Sequence, residues 1–161
     1  MPEIILIAHN IRSTHNVGSL FRSAEGFGVS KIILSGYTPH PMFPGDTRLP
    51  HIARKLDEQI HKTALGAETM VPFEYQEDPQ LTALKNDGFR VVGLEQSKRS
   101  VMLNDYTPTH KIALLLGEEV HGITQELIDQ CDDIIEIPMH GKKESFNVSV
   151  ATGIALYALT T

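Results

Sequence analysis

The stretch that decides the fold of the C-terminal part of this chain is Ile137-Pro138-Met139-His140-Gly141, followed by Ser145-Phe146-Asn147-Val148-Ser149-Val150-Ala151. Its first part predicts a short apolar strand that ends in a glycine-bearing loop. Its second part places small polar residues at the start of an apolar helix. Because the first backbone N–H groups of a helix have no partner within it, they can bind an electron-rich ligand. The stretch therefore predicts a strand, a ligand-contacting loop and a closing helix.

Two earlier segments also combine glycine and polar residues with apolar runs. One is Asn16-Val17-Gly18-Ser19-Leu20-Phe21-Arg22-Ser23-Ala24, and the other is Leu115-Leu116-Gly117-Glu118-Glu119-Val120-His121-Gly122. Glycines allow sharp turns and a close approach of the backbone to a ligand. Taken alone, the second segment also fits an ordinary strand-to-helix turn with solvated acids.

Strands and helices are predicted to alternate along the chain. Apolar patterns predict strands at residues 3–8, 30–34, 89–94, 111–116 and 133–137, an extended segment at 68–75, and helices at 17–26, 52–60, 80–86, 124–129 and 148–159. This order is typical of an α/β fold with a mainly parallel sheet and helices on both faces. Ligands of such sheets bind beyond the carboxyl ends of the strands. The loops after Leu94, Leu116 and Ile137 are therefore expected to share one edge.

Size and composition indicate a single domain, residues 1–161, with a sizeable core. No run approaches the roughly 18 apolar residues of a membrane span. The N-terminus lacks the basic flank and cleavage site of a signal peptide. Cys131 is the only cysteine, so no internal disulfide can form. We therefore expect a cytoplasmic protein without a membrane partner.

The net charge of -6 argues mildly against nucleic acid as a partner, because phosphate contacts require lysine and arginine. A local basic patch is compatible with that total. Its candidates are Arg48, Arg54, Lys55, Lys62, Lys142 and Lys143. The alternative is that these residues are scattered, solvated charges.

Three common kinds of site have no support in the sequence. The eight histidines show no zinc-binding spacing, so no metal is expected. No G-x-S-x-G turn is present for a serine hydrolase. Neither the dinucleotide-binding glycine pattern nor the P-loop pattern occurs.

Together, the three segments resemble the three motifs of the SpoU (TrmH-like) RNA 2′-O-ribose methyltransferases. The first motif is carried by Asn16, Gly18 and Arg22, and the second by residues 117–119 with Gly122. The third runs from Ile137-Pro138-Met139 to Ser145-Phe146-Asn147. The family usually has leucine or methionine where this chain has Phe146, a change that keeps an apolar wall but reshapes it.

The resemblance implies a C-terminal trefoil knot and a homodimer whose active site draws on both subunits. It implies S-adenosylmethionine as cofactor and tRNA or rRNA as substrate. The residues expected to line the cofactor site are Leu94, Gly117, Ile137, Ser145 and Phe146. The final helix, with Ile154 and Ala158 among its apolar residues, is a candidate interface element. No separate RNA-binding extension is expected, so the loop Ser35–Pro50 and the partner subunit become candidates for RNA recognition.

The resemblance also assigns catalytic roles. Arg22 would hold the phosphate beside the target ribose, and Asn16 would orient Arg22 or the ribose. Glu119, Ser145 and Asn147 would fix the loops and the hydroxyl. Simpler interpretations exist: Arg22 as a surface residue paired with Glu25 or Glu119, and Asn16, Ser145 and Asn147 as helix-start residues. At the level of the whole protein, the alternative is a non-catalytic knotted dimer that binds S-adenosylmethionine or RNA.

Overall fold

Seven strands form one sheet in the computed structural model, which describes residues 1–161. All the strand pairs are parallel, and the order across the sheet is β3-β2-β1-β6-β4-β7-β5. The strands are β1 (Glu3–His9), β2 (Lys31–Ser35), β3 (Phe73–Gln76), β4 (Arg90–Leu94), β5 (Val101–Met102), β6 (Lys111–Leu116) and β7 (Asp133–Glu136). The helices are α1 (Thr14–Gly26), α2 (Pro50–Ala64), α3 (Leu81–Asn86), α4 (Gln125–Gln130) and α5 (Val148–Thr160). The predicted α/β class with a parallel sheet is confirmed.

The central strands β1 and β6 are apolar over their whole length because both faces of the sheet are covered. Successive side chains point to opposite faces, so each strand contributes to two cores. Helices α1, α2 and α5 pack in the core that contains Leu6 and Leu114. Helices α3 and α4 pack in the core that contains Ile7 and Leu115. Each fully buried leucine or isoleucine contributes about 1.5–3 kcal/mol.

Helix α1 begins earlier than its apolar pattern predicts. Ser13 is the residue before its first turn, and the Ser13 hydroxyl accepts a hydrogen bond from the Asn16 backbone N–H at 3.2 Å. The expectation that Asn16 caps this helix is therefore wrong, because Ser13 already fills that position. The Asn16 side chain is left available for other contacts.

Helices α1 and α2 cross closely at Gly18. A Cβ atom at this position would overlap the carbonyl oxygen of Ile60 and the hydroxyl of Thr63. On another side of α1, helix α5 packs so that the rings of Phe27 and Tyr157 lie 6.5 Å apart between centroids. Helix α1 thus contacts both other helices of its layer.

Two features differ from the predicted elements. The short strand β5 was not predicted. Residues 68–75 were expected to be extended, but a 3-10 turn at Ala67–Thr69 precedes β3. The buried carboxylate of Glu68 fixes that turn by accepting hydrogen bonds from the His61 ring at 2.5 Å and the Gly66 backbone N–H at 2.9 Å. The spacing of apolar residues along the sequence does not predict such side-chain contacts.

The long connection between β2 and α2 is held by hydrogen bonds. The Arg48 guanidinium donates to the Asp46 carboxylate at 2.7 Å and to the carbonyl oxygens of His40 and Pro41 at 3.0 Å each. The Met42 backbone N–H donates to Asp57 at 2.8 Å. The charge of Arg48 is therefore balanced within the loop, and Arg48 drops out of the candidate basic patch.

None of the five helices combines the length and the apolar character needed to cross a bilayer. No three His, Cys, Asp or Glu side chains come together as a metal ion would require.

Candidate active site

The loops that follow β4, β6 and β7 enclose a cavity of about 400 Å³ at the carboxyl edge of the sheet. We call this cavity the loop pocket. It is lined by residues 94–96, 116–123 and 144–148 together with Ile128, Glu136, Ile137, Met139 and Ala151. The structure thus brings together all of the residues expected at a cofactor site, namely Leu94, Gly117, Ile137, Ser145 and Phe146. The ring of Phe146 is 39% exposed there, although it is apolar.

Gly117 allows the loop after β6 to fold tightly against itself. A Cβ atom at Gly117 would overlap the backbone of Gly122 and Ile123. The Gly122 backbone N–H donates to the Glu118 carbonyl at 2.7 Å, and the Glu118 carboxylate accepts from the backbone N–H of His121 at 3.1 Å. This close approach requires a residue without a side chain at 117.

Glu95 and Gln96 join the loop after β4 to the other two loops. The Glu95 carboxylate accepts a hydrogen bond from the Ile123 backbone N–H at 2.9 Å. The side-chain amide of Gln96 donates to the Glu144 carbonyl at 2.7 Å. Sequence reasoning named only Leu94 in this loop. The available signal was that both polar residues directly follow a buried strand at the ligand-binding edge of the sheet.

Glu119 connects the loop pocket to the start of α1. Its carboxylate accepts hydrogen bonds from the backbone N–H of Arg12 at 3.1 Å and of Ser13 at 3.4 Å, and from the Asn16 side-chain amide at 3.4 Å. The Asn147 amide donates to the Asn16 side-chain oxygen at 3.3 Å. Asn16, Glu119 and Asn147 therefore form one network, although Asn16 lies more than a hundred residues from the other two in the sequence.

Asn147 also begins α5. Its side-chain oxygen accepts from the backbone N–H groups of Ser149 at 2.9 Å and Val150 at 3.4 Å, as a helix cap does. Asn147 can cap α5 and contact Asn16 at the same time, because its side-chain oxygen accepts from the helix and its side-chain nitrogen donates to Asn16. Ser145 does not cap the helix and is exposed in the wall of the loop pocket.

Arg22 lies outside the loop pocket of its own chain. It is exposed on α1 and lines a separate hollow of about 490 Å³ between α1 and α2. The other residues of this Arg22 hollow are Ser19, Ser23, Lys62 and Thr63. Neither Arg22 nor Lys62 forms an ion pair, so Arg22 does not pair with Glu25 or Glu119. Two neighbouring cations without a counter-charge are a ready site for an anion.

The two depressions differ sharply in charge. The loop pocket contains neither lysine nor arginine, but it contains Glu95, Glu118, Glu119, Glu136 and Glu144. The Arg22 hollow contains two cations and no acid. Since opposite charges attract and like charges repel, the first favours a cationic ligand and the second an anionic one.

The comparison with protein families agrees with this arrangement. A model of the SpoU rRNA Methylase family matches residues 3–157. The chain belongs to this family. The match includes every residue of the loop pocket, of the network around Glu119 and of the Arg22 hollow.

Among relatives of this SpoU family member, one from Coxiella burnetii named 23S rRNA (guanosine-2'-O-)-methyltransferase RlmB is 32% identical over 158 residues. The alignment covers 97% of this chain and 57% of that relative. A tRNA (guanosine(18)-2'-O)-methyltransferase from Aquifex aeolicus is 30% identical, with coverage of 96% and 67%. The chain thus spans between about half and two thirds of the length of these relatives.

The fold also matches a solved structure. The AdoMet-bound rRNA methyltransferase from Sinorhizobium meliloti superposes with a TM-score of 0.81 and 23% sequence identity. The superposition covers 98% of this chain and 55% of that one. At this level of identity the likeness shows that the SpoU family member shares the fold.

The single cysteine of this SpoU family member takes no part in the site chemistry. Cys131 is buried next to Gly93 of β4, and burial raises the pKa of its thiol to about 11. A thiol in that environment stays protonated at neutral pH and is a poor nucleophile.

Proposed function

We propose that this chain transfers a methyl group from S-adenosylmethionine to a ribose 2′-hydroxyl of tRNA or rRNA. The observation that carries the proposal is the pairing of a carboxylate-rich loop pocket with an acid-free hollow beside Arg22. The names of the relatives from C. burnetii and A. aeolicus, both guanosine 2′-O-methyltransferases, support the same reaction.

The loop pocket fits S-adenosylmethionine better than a nucleotide phosphate. The cofactor carries sulfonium and ammonium charges, and carboxylates around a site raise the local concentration of such cations. A phosphate-bearing cofactor would be repelled by the same carboxylates. A cavity of about 400 Å³ is also within the usual range for small ligands. The S. meliloti structure of the same fold is described as AdoMet-bound.

Five residues are proposed to hold the cofactor. Leu94, Ile137 and Phe146 provide apolar contacts, and the backbone around Gly117 approaches closely because no side chain intervenes. The hydroxyl of Ser145 is exposed at the same wall. When bound, S-adenosylmethionine supplies an electrophilic methyl group on its sulfonium.

Arg22 is proposed to act on the nucleophile. A neutral ribose hydroxyl must lose its proton, in this proposal to solvent, as it attacks, so negative charge develops on the 2′-oxygen. The new carbon–oxygen bond would replace the methyl–sulfur bond, and the sulfonium would leave as a neutral thioether. A guanidinium keeps its proton throughout the physiological range and is therefore unsuited to act as the base. Its planar fork can instead grip the adjacent phosphate and stabilise the developing charge. Lys62, in the same hollow, adds a second positive charge.

The network of Asn16, Glu119 and Asn147 is proposed to position the reacting groups. The Glu119 carboxylate accepts three hydrogen bonds, from Arg12, Ser13 and Asn16, which fits holding two elements together better than accepting the substrate proton. Asn16 spans Glu119 and Asn147 and so fixes the start of α1 against α5. Such positioning supplies a large part of many enzymatic accelerations.

A second copy of the chain is proposed to complete the site. Within one chain, Arg22 does not line the loop pocket. Helix α5 exposes apolar side chains along one face, with Val150 at 51%, Ile154 at 38% and Tyr157 at 62% exposure. A homodimer that covers this face would remove apolar surface from water. In our proposal it also brings the Arg22 hollow of one copy to the loop pocket of the other.

A C-terminal trefoil knot belongs to the same proposal. It is supported by the way the segment after β7 is tied down, through Gln96 at Glu144 and through Asn16 at Asn147, before α5 returns to pack on α1.

The test is methyl transfer to RNA with the position of the methyl group identified. Purified protein is incubated with methyl-labelled S-adenosylmethionine and total small RNA, and the RNA is digested to nucleosides. We expect the label on the ribose. Label on a base would contradict the 2′-O assignment. Cofactor binding by calorimetry without any transfer would instead support a non-catalytic dimer that binds S-adenosylmethionine or RNA.

A further inference from the structure

A second acid-free depression lies at the start of α1. It is a cleft of about 600 Å³, which we call the Tyr37 cleft. It is lined by Arg12, Ser13, Thr14, Gly36, Tyr37, Thr38, Pro39, His40, Arg48, Leu56, Gln59 and Tyr75. Acids outnumber lysines and arginines in the chain by 20 to 14, yet none lines this cleft. Its aromatic and cationic lining points to an anionic ligand with a flat ring.

The ring of Tyr37 is presented to solvent by a rigid turn. Tyr37 is 52% exposed. Its backbone N–H donates to the Asn10 side-chain oxygen at 3.0 Å, and the Tyr75 hydroxyl donates to the neighbouring Gly36 carbonyl at 2.6 Å. Asn10 itself has a φ of 55°, a conformation that is uncommon outside glycine and persists where the surroundings enforce it. Hydrogen bonds thus fix the turn, while the half-exposed ring has a face free for contact.

Arg12 places a cation beside that ring. Its guanidinium carbon lies 5.7 Å from the centroid of the Tyr37 ring. The guanidinium has no carboxylate partner, because Glu119 binds the backbone N–H of Arg12 instead. An aromatic face next to an unpaired arginine is the combination that binds an unstacked base and its phosphate.

Two further aromatic rings line the cleft. The rings of His40 and Tyr75 stack with centroids 4.7 Å apart. Burial, and then the nearby Arg48, lowers the pKa of His40, which favours the neutral ring. Arg48 is balanced by Asp46. Arg12 is therefore the one unbalanced cation at the cleft, and it lies at the rim beside the exposed tyrosine.

We infer that the Tyr37 cleft binds an unpaired nucleobase of the RNA, which stacks on Tyr37 while Arg12 contacts its phosphate. The inference rests on the proposed function, since it takes RNA as the substrate. The cleft adjoins the site because Arg12 and Asn16 both donate to the Glu119 carboxylate. A base inside a duplex offers no free face for stacking. The preferred substrate therefore has a single-stranded loop or a displaced base next to the target ribose.

Fluorescence tests the stacking directly, because the chain contains no tryptophan. Tyr37→Trp places the only tryptophan in the cleft, and a short single-stranded RNA is titrated against it. Stacking predicts strong quenching by this RNA and weak quenching by an abasic ribose-phosphate oligomer of equal charge. The matched control is Met70→Trp. Met70 is 65% exposed and lies before β3, at the amino ends of the strands, whereas Tyr37 follows β2 at their carboxyl ends. Equal quenching at both positions, or by both oligomers, would overturn the inference.

Affinity measurements separate this inference from the proposed function. Tyr37→Leu should weaken binding of the same RNA about tenfold, the usual effect of losing one stacked base, while Tyr37→Phe should bind like the wild type. The heat of S-adenosylmethionine binding should not change in either variant. If Tyr37→Leu binds the RNA as tightly as the wild type, and the wild type transfers methyl groups, the inference about the Tyr37 cleft is refuted and the proposed function stands. Absence of RNA binding and of methyl transfer in the wild type would refute both.

Discussion

The loop pocket and the Arg22 hollow use charge in opposite ways. In the loop pocket, the carboxylates of Glu95, Glu118 and Glu119 accept backbone N–H groups, so the acids serve to hold the loops in shape. In the Arg22 hollow, Arg22 and Lys62 have no partner within the chain. The first region is held in shape by hydrogen bonds within the chain, and the second presents two positive charges that no acid of the chain balances.

The difference reconciles the proposed binding of RNA with an acidic chain. A net charge of -6 is an average over the molecule, and phosphate contacts depend on the local surface. Five of the 20 acids line the loop pocket, and none lines the Arg22 hollow or the Tyr37 cleft. The total charge is therefore a poor guide to whether the chain binds RNA.

The largest expected effect comes from removing the cation of the hollow. Arg22→Ala should lower methyl transfer at least about a hundredfold, the scale of losing one transition-state donor, while S-adenosylmethionine binds as in the wild type. Arg22→Lys should restore little, because a point charge does not reproduce a planar fork. Labelled methyl transfer and calorimetry measure the two properties. Full activity in Arg22→Ala would return Arg22 to an ordinary surface residue.

The reverse pattern is expected for Gly117→Ala. The added Cβ would overlap the backbone of Gly122 and Ile123, so the loop must shift. Overpacking of this kind costs about 1–3 kcal/mol, and we expect cofactor affinity to fall about tenfold or more. RNA affinity should stay unchanged. Light scattering compares the proposed dimer of the variant with that of the wild type, and an equally weakened dimer would mean that Gly117 serves folding rather than the cofactor.

A smaller effect distinguishes the hollow from the rest of the basic surface. Lys62→Glu should weaken RNA binding several-fold and lower the salt dependence by about one phosphate contact. The double variant Arg54→Glu, Lys55→Glu changes exposed residues of α2 outside the hollow. It too is expected to weaken RNA binding without changing cofactor affinity. RNA affinity measured over a range of salt concentrations compares Lys62→Glu with the double variant. A stronger effect of the double variant would mean that RNA recognition lies mainly outside the Arg22 hollow.

The smallest effect is expected at Asp133, which lines neither the loop pocket nor the Arg22 hollow. Arg90 and Tyr106 donate to Asp133 at 2.5 Å and 2.8 Å, and the Arg90 bond lowers the pKa of that carboxyl despite partial burial. The resulting stability is fully present above the ordinary carboxyl pKa and is lost as pH falls through the lowered pKa of the folded state. Asp133→Asn should lower the free energy of unfolding by about 1 kcal/mol at pH 7, which corresponds to a melting temperature lower by about 2–4 °C.

That stability difference should shrink as pH falls below the ordinary carboxyl range toward the lowered pKa of Asp133, because protonation removes the charge that binds Arg90. Both ligand affinities should be unaffected. Thermal melts across this pH range provide the measurement, and a difference that grew on acidification would contradict the assignment.

Much of the fold could be predicted from the chain, because the parallel sheet depends on long apolar runs such as Lys111–Leu116, whose predicted and observed limits coincide. The convergence of the loops after Leu94, Leu116 and Ile137 followed from strand direction. Contacts between individual polar side chains could not be predicted in this way. The contacts of Glu95 with Ile123 and of Asn16 with Glu119 depend on the distance between segments remote in sequence. The cap of α1 is local, but the apolar pattern does not distinguish Ser13 from Asn16 as the source of its capping oxygen.

The position of Arg22 shows the same limit. The motif places Arg22 six residues after Asn16, but only the structure shows that Asn16 contacts Glu119 while Arg22 faces α2. Periodicity predicts the buried face of α1 and leaves open what lies beside its exposed face. The neighbourhood of Lys62 had no signal in the sequence beyond its charge.

Co-expression of Arg22→Ala with Gly117→Ala tests most directly whether the two regions act together across a dimer. At cofactor concentrations below the wild-type Kd, each variant alone should keep at most about a tenth of the wild-type methyl transfer. In a random mixture, about half of the dimers are hybrids of the two variants. Each hybrid has one intact site, made of the loop pocket of the Arg22→Ala copy and the Arg22 hollow of the Gly117→Ala copy, and one site in which both are altered. About a quarter of the wild-type activity should therefore return. No recovery in hybrids isolated by two affinity tags would contradict a shared site and place the loop pocket and the Arg22 hollow in separate roles.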